Sequence, residues 1–87
     1  QINFIKKEKE RVSKELNKSS IVNKVFQSEG NFLLVKFNDI NMLKSALEDT
    51  NIIIGFLKYP SLKEFARITI GTRDENDALL NLLKKIQ

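Results

Sequence analysis

The chain has 87 residues, the size of one small domain. At this length folding buries roughly 60–65% of the surface of the unfolded chain, enough for one modest core. The absence of cysteine excludes disulfides and thiolate chemistry, and the absence of histidine removes the commonest general base and metal ligand. A complete active site is therefore not expected within these residues.

Fifteen basic and eleven acidic residues give a formal net charge of +4, which in general favours anionic partners. In the first segment, however, basic residues alternate with Glu8, Glu10 and Glu15, a pattern typical of a solvated helix face. No run approaches the roughly 18 apolar residues of a membrane span. We therefore predict a soluble domain without a membrane or nucleic-acid partner. Because the chain opens on Gln1, without methionine or a signal-like segment, we expect a fragment of a longer protein.

The first predicted element is an amphipathic helix over Ile2–Leu16. Ile2, Ile5, Val12 and Leu16 form an apolar stripe at helical spacing, and most of the other positions are charged. We expect part of this stripe to belong to an absent neighbour and to be incompletely covered.

The remaining elements follow from apolar spacing and turn residues. They are strands at Val22–Phe26 and Asn31–Phe37, a helix at Ile40–Glu48 capped by Asp39, a strand at Ile52–Leu57, a Pro-containing loop at Lys58–Lys63, a strand around Arg67 and a terminal helix. The order predicts an α/β domain, an α+β two-layer sandwich in which helices cover a small mixed sheet. The hairpin-like segment Ile52–Ile70 is expected to be antiparallel. Asn31–Leu57 should form a right-handed crossover if its strands are parallel in one sheet.

The most informative segment is Phe65–Asn76, FARITIGTRDEN. Read as a strand, it points Ala66, Ile68 and Ile70 to one face and Arg67 to the other. The guanidinium of Arg67 therefore leaves a rigid sheet, and its planar fork suits a carboxylate or phosphate.

The strand must end where a helix begins. Thr72 followed three positions later by Glu75 is a capping box, so the handover is predicted at Gly71-Thr72. Pairing of Arg67 with Glu64 or Asp74 on an exposed face is the alternative structural explanation for that arginine.

This segment resembles the C-terminal end of histidinol-phosphate aminotransferases, members of the class I/II pyridoxal-phosphate-dependent aminotransferases. The most specific part is Arg67-Ile68-Thr69-Ile70-Gly71-Thr72. Asn31–Val35 looks like the family's Asn-aromatic-aliphatic strand, and Asn51–Ile54 looks like its Gly-Ile-aliphatic strand. Pro60–Leu62 lies in the matching loop, and Ile2–Leu16 resembles the helix that leads into the family's small domain. The resemblance thus covers essentially the whole chain.

The resemblance implies that residues 1–87 are one domain, the C-terminal small domain of a longer cytoplasmic aminotransferase of histidine biosynthesis. The cofactor, pyridoxal phosphate, and the lysine that attaches it would be held mainly by the absent large domain of the same chain, and the parent would be a homodimer. Arg67 falls on the family's Arg-Ile-Thr arginine, which binds the acidic group of an acidic or phosphorylated amino-acid-like substrate. Arg67 is therefore the expected substrate-binding residue, with no catalytic, cofactor-binding or metal-binding residue in this fragment, which should be inactive alone.

Gly55 departs from the family pattern. Relatives usually carry an arginine near the end of this strand as a second anchor for substrate phosphate. Either the glycine marks an altered substrate preference, or it marks a bend that needs no side chain, with Lys58 or Tyr59 substituting nearby.

Other polar residues have mainly structural explanations. The lysines that could be proposed to attach the cofactor lie outside any suitable motif and are expected to be solvated: Lys36, Lys58, Lys84 and Lys85. Asn31 is either a turn residue or a polar substrate contact. Asp74, Glu75 and Asp77 are first-turn acids of a helix rather than a metal site.

Two other functions fit part of the sequence. A threonine-phosphate decarboxylase-like enzyme shares the scaffold and could contain Tyr59-Pro60 in the same loop. A small basic RNA-binding or ligand-binding α/β module is the alternative of another class. Against the RNA-binding reading, Phe32 and Phe37 are an odd number of residues apart and should point to opposite faces of their strand.

Overall fold

Three helices cover one face of a four-stranded sheet in the computed structural model, which describes the backbone of residues 2–86 and the side chains of residues 3–86. In chain order the elements are α1 (Ile2–Leu16), β1 (Val22–Phe26), β2 (Phe32–Phe37), α2 (Ile40–Leu47), β3 (Gly55–Phe56), a 3-10 turn (Pro60–Leu62), β4 (Phe65–Thr69) and α3 (Arg73–Ile86). The α+β two-layer sandwich predicted from the sequence is confirmed.

The strand order is β1-β2-β4-β3, and each neighbouring pair is antiparallel. The antiparallel pairing predicted within Ile52–Ile70 is confirmed by β3 and β4. The sheet is antiparallel rather than mixed, because β4 inserts between β2 and β3. Those two strands run parallel to one another but never pair.

The third strand is shorter than predicted. Only Gly55 and Phe56 pair with β4, although a strand was expected over Ile52–Leu57. Side chains still alternate before the strand, with Ile54 buried and Ile53 91% exposed. This segment lies at the sheet edge, where side-chain alternation can continue without a backbone ladder.

One hydrophobic core lies between the sheet and the helices. Its largest fully buried side chains are Phe37, Leu16, Leu33, Leu43, Val12 and Val35. The expectation that the α1 stripe is incompletely covered is wrong for Val12 and Leu16, which are 1% and 0% exposed, because both pack into this core. Ile5 is half-buried, and the side chain of Ile2 lies outside the described residues.

Local capping fixes where two of the helices begin. The carboxylate of Asp39 accepts a hydrogen bond from the Met42 amide at 3.0 Å, as predicted for α2. At α3 the Thr72 amide donates to the Glu75 carboxylate at 2.8 Å, and the Glu75 amide donates to the Thr72 hydroxyl at 3.2 Å. The predicted capping box therefore forms, and it ends β4 two residues after Arg67.

Candidate functional site

The sheet face opposite the helices carries the residue singled out by the sequence. Residues paired across an antiparallel sheet share a face, and the strand register places one set of side chains on this side. We call it the open face; its strand residues are Lys24, Phe26, Phe32, Leu34, Lys36, Gly55, Phe65, Arg67 and Thr69. Its rings and Leu34 are half-buried, whereas Arg67 is exposed.

Arg67 lies in the middle of β4, an inner strand. Its backbone is fixed on both sides, since it pairs with Leu34 of β2 and Gly55 of β3. Ala66 and Ile68, its neighbours in the strand, are 0% and 3% exposed and lock the strand onto the core. The alternation predicted for this segment is confirmed, so the side chain of Arg67 leaves a rigid base.

The guanidinium of Arg67 lies over an aromatic ring instead of beside a carboxylate. Its Cζ atom is 5.3 Å from the centroid of the Phe32 ring, within the range of a cation–π contact. Neither Glu64 nor Asp74 forms an ion pair with Arg67, and none of the ion pairs found across residues 3–86 includes it. The N–H donors of the Arg67 guanidinium are therefore not engaged by an acidic side chain of the described residues.

Gly55 lies directly beside Arg67. A Cβ atom built at Gly55 would lie 3.7 Å from the Arg67 Cβ atom and from its carbonyl oxygen, which is ordinary van der Waals contact. Its φ is not positive, in contrast to that of Gly30. Neither a bulge nor a backbone constraint requires glycine here, so a side chain at this position would fit beside the base of the Arg67 side chain.

Two lysines share the open face with Arg67. The Nζ of Lys24 lies 5.0 Å from the Phe26 ring centroid, and the Nζ of Lys36 lies 6.0 Å from that of Phe65. The two rings contact each other at 5.8 Å between centroids. No strand position on this face carries an acid. The face therefore presents three cations, Lys24, Lys36 and Arg67, each packed over a phenylalanine ring.

A groove of about 530 Å³ adjoins the C-terminal end of β4. It lies between the segment before β3 and the start of α3, and its lining includes Ile52, Ile53, Thr69, Gly71 and Glu75. Thr69 is shared with the open face. Arg67 does not line this groove.

A buried polar network holds the end of β4 and the start of α3 against α1. The Glu8 carboxylate, 4% exposed, accepts two hydrogen bonds from Arg11 at 2.8 and 2.9 Å and one from the Asn76 amide group at 3.0 Å. Asn76 also accepts from the Gly71 amide at 2.9 Å and donates to the Gly71 carbonyl at 3.2 Å. Arg11 forms a second ion pair with Asp77 at 2.8 Å.

These contacts change the acid–base behaviour of the pair. Hydrogen bonds from Arg11 and then from Asn76 lower the pKa of Glu8 from 4.5 to about 2. The hydrogen bond to Glu8 raises the pKa of Arg11 further above its usual value. The sequence interpretation missed this network by assigning Glu8 to a solvated face, although Glu8 follows Ile5 by three residues and precedes Val12 by four, on the same side of the helix.

None of the other sequence candidates forms a hydrogen bond or an ion pair with the side chain of Arg67 among the described residues. Lys58 and the pair Lys84 and Lys85 are exposed, the last two at the end of α3. Asn31 is exposed, and its carbonyl accepts a hydrogen bond from the Ile70 amide at 2.6 Å. Asp77 takes part in ion pairs and Glu75 in the capping box. Across the described part of the chain, no group of three histidine, cysteine or acidic side chains is placed to hold a metal ion.

Residues 2–86 contain no helix with the length and apolar character needed to span a membrane.

No family model matches the chain. Curated relatives match it nearly end to end. It is 41% identical over 86 residues to the histidinol-phosphate aminotransferase of Thermoanaerobacter pseudethanolicus, covering 98% of this chain and 24% of that protein. It is 36% identical over 84 residues to the Xanthomonas euvesicatoria enzyme of the same name, covering 95% of this chain and 23% of the relative.

A solved structure gives the same result for the fold. The crystal structure of the histidinol-phosphate aminotransferase from Clostridium acetobutylicum matches with a TM-score of 0.82 and 31% identity, over 94% of this chain and 26% of that one. The chain thus spans about a quarter of the length of the proteins it matches. Sequence and fold together confirm the resemblance drawn from the motifs: the chain is similar, over nearly all of its length, to one domain-sized part of histidinol-phosphate aminotransferases.

Proposed function

We propose that the chain is the C-terminal small domain of a pyridoxal-phosphate-dependent aminotransferase acting on histidinol phosphate, and that Arg67 binds the substrate's acidic group. The observation that carries this proposal is the state of Arg67. It lies exposed on an inner strand, within the segment that most resembles the family, and forms no ion pair with a described residue. A guanidinium with free in-plane donors is suited to paired hydrogen bonds with a carboxylate or phosphate.

The cofactor does not fit the residues present here. Attachment of pyridoxal phosphate needs a lysine that is partly desolvated, and Lys36, the half-buried lysine of the open face, lies over the Phe65 ring rather than in a pocket. The remaining candidate lysines are exposed. We therefore assign cofactor binding to a large domain of the same parent chain, a cytoplasmic homodimer. When bound there, the cofactor supplies the electron sink for the reaction, while the residues described here bind and orient the substrate.

Gly55 is relevant to the substrate preference of the proposed enzyme. Because a side chain would fit at this position without strain, the absence of an arginine beside Arg67 is better explained by substrate preference than by backbone geometry. We propose that Arg67 acts here without the second arginine that the resemblance implies for relatives.

The proposal is tested on the full-length polypeptide that contains this sequence, purified with pyridoxal phosphate. We expect transamination of histidinol phosphate. In the full-length parent we infer that the large domain covers the pair of Arg67 with its substrate. Arg67→Ala should then lower kcat/KM by roughly 30- to 4,000-fold, because loss of one partner of a desolvated charge pair costs on the order of 2–5 kcal/mol. Arg67→Lys should recover only part of this, since an ammonium lacks the planar fork.

Arg73→Ala is the matched control. Arg73 is also an arginine close to the end of β4, but it is exposed on α3, and its contacts with Glu8 and Asp77 are long, at 3.9 Å. Its replacement should leave kcat/KM nearly unchanged. Near-parental kcat/KM in the Arg67→Ala enzyme, for phosphorylated and unphosphorylated amino donors alike, would contradict the assigned role of Arg67.

A further inference from the structure

The contact between Phe32 and Arg67 crosses the strand register diagonally. Phe32 pairs with Thr69, and Arg67 pairs with Leu34, so the two side chains are offset by one same-face position. Aromatic and long side chains reach each other across such a diagonal. The guanidinium carbon lies 5.3 Å from the ring centroid as a result.

Stacking on a ring orients an arginine without using its hydrogen bonds. The five N–H donors of a guanidinium lie in its plane, whereas the attraction to a ring acts through the π face. An acid at the same place would hold Arg67 but would also compete with any incoming anion. Phe32 therefore restricts the side chain and leaves its donors available.

The turn that leads into Phe32 is fixed by hydrogen bonds from α1 and from one of its own side chains. The amino group of Lys9 on α1 donates hydrogen bonds to the carbonyls of Ser28 and Gly30, the latter at 2.8 Å. The Ser28 hydroxyl donates to the Phe32 carbonyl. Gly30, with φ of 91°, brings the turn against the ring, since a Cβ built on it would lie 3.7 Å from a ring carbon of Phe32.

We propose that Phe32 is the positioning residue of the anion site, holding the Arg67 guanidinium ready for the phosphate or carboxylate of the substrate. This inference rests on the proposed role of Arg67 and adds the residue that orients it. A long arginine side chain loses rotamer freedom when it binds, and a side chain that is already ordered loses less.

The test compares Phe32→Leu with a matched control on the same face. Phe65→Leu removes an equivalent half-buried ring from β4, but that ring contacts Lys36 instead of Arg67. The 87-residue chain is titrated with inorganic phosphate at low ionic strength, and the Nε–H resonance of Arg67 is followed by NMR. Backbone amide resonances of β2 and β4 report whether each variant is folded.

We expect Phe32→Leu to move the Arg67 Nε–H resonance downfield, through loss of the ring current, and to weaken phosphate binding at Arg67 about 2- to 5-fold. Phe32→Tyr should restore both values, and Phe65→Leu should change neither. If Phe32→Leu does not fold, Phe32→Met provides the same comparison with a larger apolar side chain.

An unchanged Arg67 resonance and phosphate affinity in a folded Phe32→Leu or Phe32→Met chain would overturn the inference. Equal effects of the Phe65 variant, or no response of Arg67 to phosphate in the parent chain, would overturn it as well. The proposed enzyme function can fail independently of this inference. In that case the full-length polypeptide would be inactive, but phosphate binding at Arg67 would still depend on Phe32.

Discussion

Replacement of Glu8 by glutamine should destabilise the domain near neutral pH and should have almost no effect near pH 2. Glu8 is 4% exposed, and its carboxylate accepts hydrogen bonds from Arg11 and Asn76. Glutamine has nearly the same shape but no charge. The substitution therefore isolates the charge of Glu8, whose ionised partner Arg11 lies on the same helix and whose hydrogen-bond donor Asn76 lies on α3.

The size and sign of the effect follow from the pKa. Lowering the Glu8 pKa from 4.5 to about 2 on folding corresponds to roughly 3 kcal/mol, at about 1.4 kcal/mol per pKa unit. A lowered carboxyl pKa stabilises the folded state above the unfolded-state pKa, and this contribution declines as the pH falls from about 5 to about 2. For a domain of this size, with a free energy of unfolding on the order of 4–13 kcal/mol, the loss is large but measurable.

Urea denaturation followed by far-UV circular dichroism at several pH values measures the effect. The parent should exceed Glu8→Gln in free energy of unfolding by about 2–3 kcal/mol at pH 7, and the two proteins should converge towards pH 2. Glu10→Gln, an exposed carboxylate on the same helix, is the control and should match the parent throughout. A difference that stays constant from pH 7 to pH 3, or that grows on acidification, would refute this reasoning.

Three further substitutions test the space at Gly55 and the cap at the start of α3. Gly55→Arg should fold, because a Cβ fits there, and in the full-length enzyme it should raise the ratio of kcat/KM for phosphorylated over plain amino donors; an unchanged ratio would remove the substrate-preference explanation. Thr72→Ala should lower the free energy of unfolding by about 0.5–2 kcal/mol through loss of the helix cap, as measured by urea denaturation. Gly71→Ala should have a similar cost, since its Cβ would displace the capping carboxylate of Glu75, and the Thr72→Ala Gly71→Ala double variant should cost less than the sum because both act on one cap. Strict additivity would contradict that shared cause.

Local chemistry could be read from the sequence where it decides the structure. The capping box at Thr72 and Glu75 and the N-cap at Asp39 involve residues at most three positions apart, so their spacing is sufficient to predict them. The faces of β4 were predictable for the same reason, because side chains in a strand alternate strictly. This alone placed Arg67 on the side away from the core.

The arrangement of the strands could not be read in the same way. Sequence order suggests a strand-helix-strand unit from β2 to β3, but β4 pairs with both and separates them. That choice depends on which strands fit together over the whole core, and no local pattern records it. The same limit explains why part of the α1 stripe was expected to need an outside partner, whereas Val12 and Leu16 pack into the domain's own core.

For a related reason, the sequence predicted only part of the candidate site. Arg67 stands out because it interrupts an apolar strand, but its partner Phe32 lies 35 positions earlier, and the two meet only through the register of β2 with β4. Glu8 and Asn76 meet across α1 and α3, with a separation of 68 positions. A charge on the apolar side of a predicted helix is the signal that could have identified Glu8.

The distribution of charge gives the strongest independent support for an anion site on the open face. Among the described residues no acid lies in a strand, since the acidic residues are on helices, at the N-cap of α2, or in turns and loops. Cations of the strands are therefore not neutralised within their own sheet, in contrast to the mixed charges of α1. Cations that share one face without acids attract a small anion from some distance, and only Arg67 among these three offers a planar fork for binding it. The net charge of +4 is too small and too dispersed to indicate a partner from composition alone. The position of the charges in the fold is more informative, because the cations of the strands lie together on the open face.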